Sequence, residues 1–178
     1  VEMCDVPGVA LKKKKDSSIR GGINLVAEGK ADAFVSAGNS GAVMVGGLLI
    51  LKKVPGIDRP AISATIPSPH GPIVLIDAGA NVDCKAAHLL QFAVMGEVYA
   101  RKFLNIPVPR MAVVSIGEED SKGNDVSRET CELIRRTGLK FVGNAEGRDF
   151  FTGKADVFVC DGFVGNVAVK TMEGMAQA

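Results

Sequence analysis

The sequence predicts an α/β class fold, a three-layer sandwich whose sheet is mostly parallel. Three observations carry that expectation. Short β-branched or aromatic runs alternate with longer segments of helical periodicity. Runs such as Ile73-Val-Leu-Ile76 and Val157-Phe-Val-Cys160 are apolar without interruption, as strands buried on both faces are. The residues that follow such runs are rich in Gly, Asn and Asp, at the strand ends where open sheets of this class gather ligands.

Taken in order, the pattern places a helix at Ser18–Glu28 and a short strand at Ala33–Ser36. The almost uninterrupted apolar stretch from Ala42 to Leu51, closed by Lys52-Lys53, predicts a helix over Gly41–Lys53. After the connector Pro55-Gly-Ile-Asp-Arg-Pro60, strands are expected at Ala61–Ile66 and Ile73–Ile76, then a long helix at Ala86–Phe103. Beyond Pro107-Val-Pro109 come strand Met111–Ile116, helix Ser127–Arg136, strands Lys140–Val142 and Asp156–Cys160, and helix Val164–Ala176.

At 178 residues and 47% hydrophobic content the chain can bury a sizeable core, as one domain or two small ones. We treat residues 1–178 as a single α/β domain; no signal peptide opens the sequence, and because its first residue is Val rather than Met it is expected to be a fragment of a longer chain. Lys and Arg number 21 against 20 Asp and Glu, so no bulk charge argues for nucleic acid as a partner. Four cysteines form no CxxC pair and only two histidines are present, which suggests neither a metal site nor a disulfide framework; reduced cytoplasmic thiols are the simpler reading. The longest apolar stretch falls well short of the roughly 20 residues that span a bilayer.

The loops after the expected strands carry the chemistry. They are Ala37-Gly-Asn-Ser-Gly41, Asp77 to Lys85, Gly117 to Asn124, Gly143 to Arg148, and Asp161 to Asn166, and a parallel sheet would bring them to one edge. In the first of them, Gly38 and Gly41 allow close backbone approach, Asn39 and Ser40 offer donors and an N-cap, and the following helix would turn its positive end to the loop. That chemistry suits a phosphate; an ordinary tight strand-to-helix turn is an equal reading of the stretch taken alone. It matches neither GxGxxG nor GxxxxGK[ST], and Gly153-Lys154 is followed by Ala.

SAGNSGA, PGIDRPA, DAGANVDCK with HLLQFAVMG, IGEEDSKGND, FVGNAEGRD and ADVFVCDGFVGNVAVKTMEG occur in an order that closely resembles the phosphate acyltransferases of bacterial phospholipid synthesis, the PlsX family. The resemblance runs along the whole chain. It implies a Rossmann-like fold akin to the phosphotransacetylases and isopropylmalate dehydrogenases. It further implies conversion of acyl-(acyl carrier protein) and inorganic phosphate to acyl phosphate and free carrier protein, without metal or cofactor. Implied with it are a homodimer, a downstream acyl-phosphate:glycerol-3-phosphate acyltransferase as partner, and a cytoplasmic protein held peripherally at the inner face of the membrane. Family chains are longer, with an N-terminal GGDxAP-type segment and a C-terminal helical region not found here.

Such a reaction needs phosphate held in line with a thioester carbonyl and donors preorganised for the developing oxyanion. It needs no protein nucleophile, so direct attack by phosphate is expected, with Cys84 and Cys160 as packing groups. Ser36, Asn39, Ser40 and Gly41 are the expected phosphate-binding residues. Lys85, Asp161 and Asn166 are expected at the reaction centre, and Lys122, Asn124, Asn144, Arg148 and Lys170 along the acyl donor. For each cation the competing role is a local ion pair: Lys85 with Asp83, Lys122 with Asp120, Arg148 with Glu146 or Asp149. Loop architecture is the expected role of most of Asp77, Asn81, Asp83, Asn124, Asn144, Asp161 and Asn166, with Asp77 a candidate to orient Lys85. The run Lys12 to Lys15 is read first as a solvated strand end or loop, and second as a docking patch for an acidic carrier protein or anionic lipid. Rival readings are an acyl-coenzyme A phosphotransacetylase or phosphotransbutyrylase, and a non-catalytic scaffold for lipid enzymes.

Overall fold

A proline in its first turn opens helix α1 (Pro7–Lys13), and a serine cap opens α2 (Ser18–Ala27): the Ser17 hydroxyl accepts from the amide of Arg20. Helix α3 (Ser40–Gly46) runs into a π-helical turn at Gly47–Leu51. Leu11, Ile19, Ile23 and Ala42 form the small buried core of these helices. The computed structural model describes residues 1–178 and divides them into two compact units, and these helices belong to the first, Val1–Pro60.

The second unit, Ala61–Ala178, holds the sheet. Its strands are β1 (Ser63–Ile66), β2 (Ile73–Ile76), β3 (Arg110–Val114), β4 (Lys140–Ala145) and β5 (Val157–Val159), in the order β1-β2-β5-β3-β4. Strand β1 is antiparallel to β2, and the other three pairings are parallel. The crossover helices are α4 (Ala86–Phe103) and α5 (Asp125–Arg135), and α6 (Gly162–Gln177) follows β5.

The alternation of side chains along each strand sorts the core into two layers. Val74, Ile76, Val157, Val159, Met111 and Val113 face Leu89, Phe92 and Ala93 of α4 and Cys131 and Ile134 of α5. Ile73, Leu75, Ala112 and Phe158 point the other way, where Phe150 and the partly buried Ala168, Val169 and Met172 of α6 cover them. Helices therefore lie on both faces of a mostly parallel sheet. Gly96 lets α4 come down on β5: a Cβ there would lie 2.6 Å from a Val157 methyl. At the opposite end of the strands from the loops, Arg110 holds Asp156 through two guanidinium nitrogens and a backbone amide, and donates to the Gly153 carbonyl at 2.6 Å.

Three expectations need correcting. Ala33–Ser36 forms no strand, because the first unit has no sheet to receive it; Val35 stands 92% exposed, while the Phe34 ring turns inward against Gly22. The helix expected over Gly41–Lys53 widens after Gly46 into the π turn and ends at Leu51. The lysine run is neither strand end nor free loop at its start, since Lys12 and Lys13 close α1, where cations meet the negative end of the helix dipole, and Lys14 pairs with Asp5 at 2.6 Å.

Candidate active site

Asp77 follows β2 and is completely buried. Its Oδ1 accepts from the amides of Ile62, Gly79 and Ala80 at 3.1, 3.1 and 2.9 Å, and its Oδ2 from the amide and side-chain nitrogen of Asn81 at 2.7 and 2.8 Å. A carboxylate saturated by five donors is a scaffold for its loop. It does not orient Lys85, because the donors of Ile62, Gly79, Ala80 and Asn81 take its lone pairs.

Helix α6 is pressed directly onto that loop. Asp161 caps it, its Oδ1 accepting from the amide of Val164 at 2.8 Å. Gly162 donates its amide to the Asn81 carbonyl at 2.7 Å, and a Cβ on Gly165 would fall 1.8 Å from the Asp77 carbonyl oxygen. Asn166 lies against Gly79, whose φ of +136° is closed to most side chains. Both glycines thus sit inside the helix, which starts two residues earlier than periodicity predicts; they serve contact between helix and loop.

Lys85 is the N-cap residue of α4, exposed, with its amide donating to Nδ1 of His88 at 3.1 Å. His88 is buried, and the sequence reading gives it no role in the site. Cys84 precedes the cap and is not on the helix. The available signal was a histidine three residues after the cap, where a side chain can return to the cap amide.

The loop after β3 is fastened from two sides. Asn124 caps α5, accepting from the Ser127 amide at 2.8 Å, and buried Asn144 on β4 donates to the Glu119 carbonyl at 2.8 Å while accepting from the Cys131 thiol at 3.2 Å. Lys122 is exposed in this loop, and the Asp120 expected to pair with it pairs instead with Arg135. Arg148, at the β4 edge, pairs with Glu146 at 3.2 Å. Lys170 pairs with Glu173 at 2.7 Å, and nine residues of helix rise carry it about 13 Å beyond Asp161. Lys85 ends the loop after β2, and Asp161 and Asn166 stand at the cap and start of α6, after the neighbouring β5. Arg148 stands three strands from β2, on the order of 14 Å across the sheet.

In the first unit, Asn39 is the N-cap of α3: its Oδ1 accepts from Ala42, and its Nδ2 donates to the carbonyls of Glu2, Met3 and Asp5 at 3.3, 3.2 and 3.4 Å. The Ser36 hydroxyl bonds within its own turn, to Gly38. Gly41 rests on Pro7, whose ring carbon would lie 2.8 Å from an added Cβ. Ala42 and Val43 donate to Asn39, so Ser40 and Gly41 hold the unclaimed amides of the first turn.

Burial pushes the Cys160 thiol far above its ordinary range, reinforced by the nearby Asp161 and Asp77 carboxylates, and burial raises Cys131 as well. A thiol held protonated is a poor nucleophile. Between the ends of β3 and β5 lies a cavity of about 170 Å³, walled mainly by Leu89, Val113, Ile116, Val126 and Val164. A larger, open depression of about 440 Å³ lies along the edge strand β4, where Arg135 is taken by Asp120.

The family model described as "Fatty acid synthesis protein" matches residues 1–178. The chain belongs to that family. It is 53% identical over 178 residues to the phosphate acyltransferase of Trichlorobacter lovleyi, covering 100% of this chain and 52% of that protein. It is 54% identical over 178 residues to that of Geotalea uraniireducens, covering 51% of it. The chain therefore spans about half the length of the curated relatives it matches. Among solved structures, a phosphotransacetylase from Streptococcus pyogenes shares the fold at TM-score 0.69 and 20% identity, over 99% of this chain and 64% of that one. EutD phosphotransacetylase from Staphylococcus aureus does so at TM-score 0.66 and 22% identity, over 89% and 56%. The Rossmann-like expectation agrees with these folds.

Proposed function

We propose that the protein carrying this chain is an acyltransferase that moves an acyl group from acyl carrier protein to inorganic phosphate, giving acyl phosphate and free carrier protein. The observation that carries this reading is identity above half, along the entire chain, to proteins named phosphate acyltransferase. Polar loops at the carboxyl edge of a parallel sheet support it, as does a buried thiol chemistry ill suited to an acyl-enzyme.

In this reading Ser36, Asn39, Ser40 and Gly41 serve phosphate. Asn39 acts by shaping the turn, and the amides of Ser40 and Gly41 with the Ser40 hydroxyl meet the anion. Lys85, Asp161 and Asn166 attend the thioester, with Lys122, Arg148 and Lys170 on the carrier side, while Asn124 and Asn144 hold the loop after β3 in place. Phosphate attacks the carbonyl carbon, the C–S bond breaks, and the carrier's thiol leaves with a proton. A homodimer, peripheral attachment at the membrane's inner face and a downstream acyl-phosphate:glycerol-3-phosphate acyltransferase belong to the same proposal. A phosphotransacylase that uses acyl-coenzyme A is the second reading, favoured by the fold it shares with the phosphotransacetylases.

The test is incubation with acyl-(acyl carrier protein) and phosphate, against acyl-coenzyme A and phosphate. Acyl phosphate formed preferentially from the carrier protein supports the proposal; preference for coenzyme A selects the second reading, and no acyl phosphate from either rejects both. Ser40→Asp tests the phosphate residues. An acid is welcome at a helix start but repels phosphate, so the KM for phosphate should rise at least tenfold with the acyl donor's KM unchanged.

A further inference from the structure

We propose that one end of the first unit, where Lys12, Lys13 and Lys15 come level with Leu49, Leu51 and Lys52, is the docking surface for the acidic acyl carrier protein. The inference rests on the acyl-carrier reading above and deepens it by giving the carrier protein a place to land.

Helix packing brings the two segments together. Pro7 lies against Gly41 and Leu11 against Gly46, with a ring carbon and a methyl carbon 2.8 and 3.6 Å from where a Cβ would stand. One turn of α1 thus matches about one turn of α3, and the two helices run side by side in the same direction. Carried one turn further, the match sets Lys12 to Lys15 beside the π turn Gly47–Leu51 and the two lysines that close it. Residues far apart in sequence form one patch.

The patch is charged and short of counterions. Lys12, Lys13, Lys15 and Lys52 are exposed and none makes an ion pair, whereas Lys14 is held by Asp5 and Lys53 by the Asp58 carbonyl at 3.0 Å. Asp16 offsets one of these charges, and the balance stays positive. The imbalance belongs to this unit: Val1–Pro60 carries nine Lys and Arg against six Asp and Glu, and Ala61–Ala178 carries 12 against 14. Leu49 and Leu51, 56% and 48% exposed, stand beside the lysines. Apolar side chains rimmed by cations are the layout of a protein interface in which burial holds the partner and charge steers it.

The occupant follows from what the patch has and lacks. A phosphate-sized anion needs cations that converge, and these are spread over two helix ends. A membrane surface is met by aromatic side chains beside the lysines, and the first unit has no Trp or Tyr, while its one Phe turns inward against Gly22. An acidic protein with an apolar spot of its own matches both halves of the surface. Reach agrees with it. Leu51 stands ten residues from Gly41 along one continuous helical segment, about 15 Å, and an extended pantetheine arm spans that distance to the phosphate turn.

The experiment measures equilibrium binding of apo acyl carrier protein, which has no arm and so reads the surface alone, over a range of salt. It is bound to the full-length protein, to the triple variant Lys12→Ser, Lys13→Ser, Lys15→Ser, and to Leu49→Ser. All four side chains are exposed, so the fold is kept. The expected result is affinity weakened roughly tenfold by the triple variant with a flatter dependence on salt, and roughly threefold by Leu49→Ser with that dependence unchanged. Turnover of acyl-pantetheine with phosphate, a donor that lacks the carrier protein, should be the same in all three; a fall in the triple variant would assign its lysines to the reaction and overturn the docking role. Equal carrier affinity and equal salt slopes overturn the inference, as does loss of binding to phosphatidylglycerol vesicles with carrier affinity intact. Weakened carrier binding in both variants, with no acyl phosphate formed from any donor, keeps the docking surface and rejects the acyltransfer reading.

Discussion

The turn at Ser36 to Gly41 and the loop at Asp77 to Lys85 both lead into a helix, yet they are held by opposite means. The second follows a strand with four consecutive buried residues, and a buried carboxylate, two helix glycines and an asparagine contact fix it from several directions. The first follows an unpaired segment, and one side chain, Asn39, both caps the helix and ties the turn to the chain's first residues. Where a sheet supplies the platform, many groups share the task of shaping a ligand loop. Where it does not, a single residue carries it.

The comparison breaks most sharply at Gly165. Gly165→Ala sets a methyl against the Asp77 backbone, and the second unit should lose about 3 kcal/mol or more, read as a fall in the denaturant midpoint. Full stability would mean that α6 is not seated as described. Asp77→Ala leaves several buried amides without an acceptor and should cost about 3 kcal/mol, with faster hydrogen exchange at Gly79 to Asn81. Asn39→Ala should cost about 1 to 2 kcal/mol, with increased exchange confined to the first unit; an equal response in both units would erase the contrast.

The smallest effect concerns the Arg110–Asp156 pair. Burial pushes the Asp156 carboxyl up, but the hydrogen bonds and charge of Arg110 outweigh it and hold it below the usual carboxylate range. A depressed carboxyl adds stability that is present above its unfolded pKa, about 3.9, and is lost as pH falls through its lower folded value. Asp156→Asn should flatten the dependence of unfolding stability on pH below about 4, and leave the loops at the other end of the strands unchanged. An unaltered acid limb would assign that limb to other carboxylates.

The second unit was largely legible in the sequence. Continuous apolar runs marked β2, β3 and β5 because strands covered on both faces have no polar positions to hide, and α4 falls at Ala86–Phe103 as periodicity predicts. The antiparallel direction of β1 was not legible, since pairing direction leaves no mark in four residues. Ala33–Ser36 reads as a strand by composition, but a strand needs a neighbour, and Phe34 found its burial against Gly22 instead. Within the candidate site, the polar residue types were visible while their employment was not. Asp77, Asn124 and Asn144 look like ligand groups until their backbone partners are seen, and Ser115 looks ordinary until its hydroxyl proves to have none.

The seating of α6 has a mechanical consequence. Gly162 and Gly165 bring main chain against main chain, so no rotamer stands between the helix and the 77–81 loop to take up a displacement. A ligand that draws Asp161 is therefore expected to carry the loop after β2 with it, because close-packed main chain transmits strain.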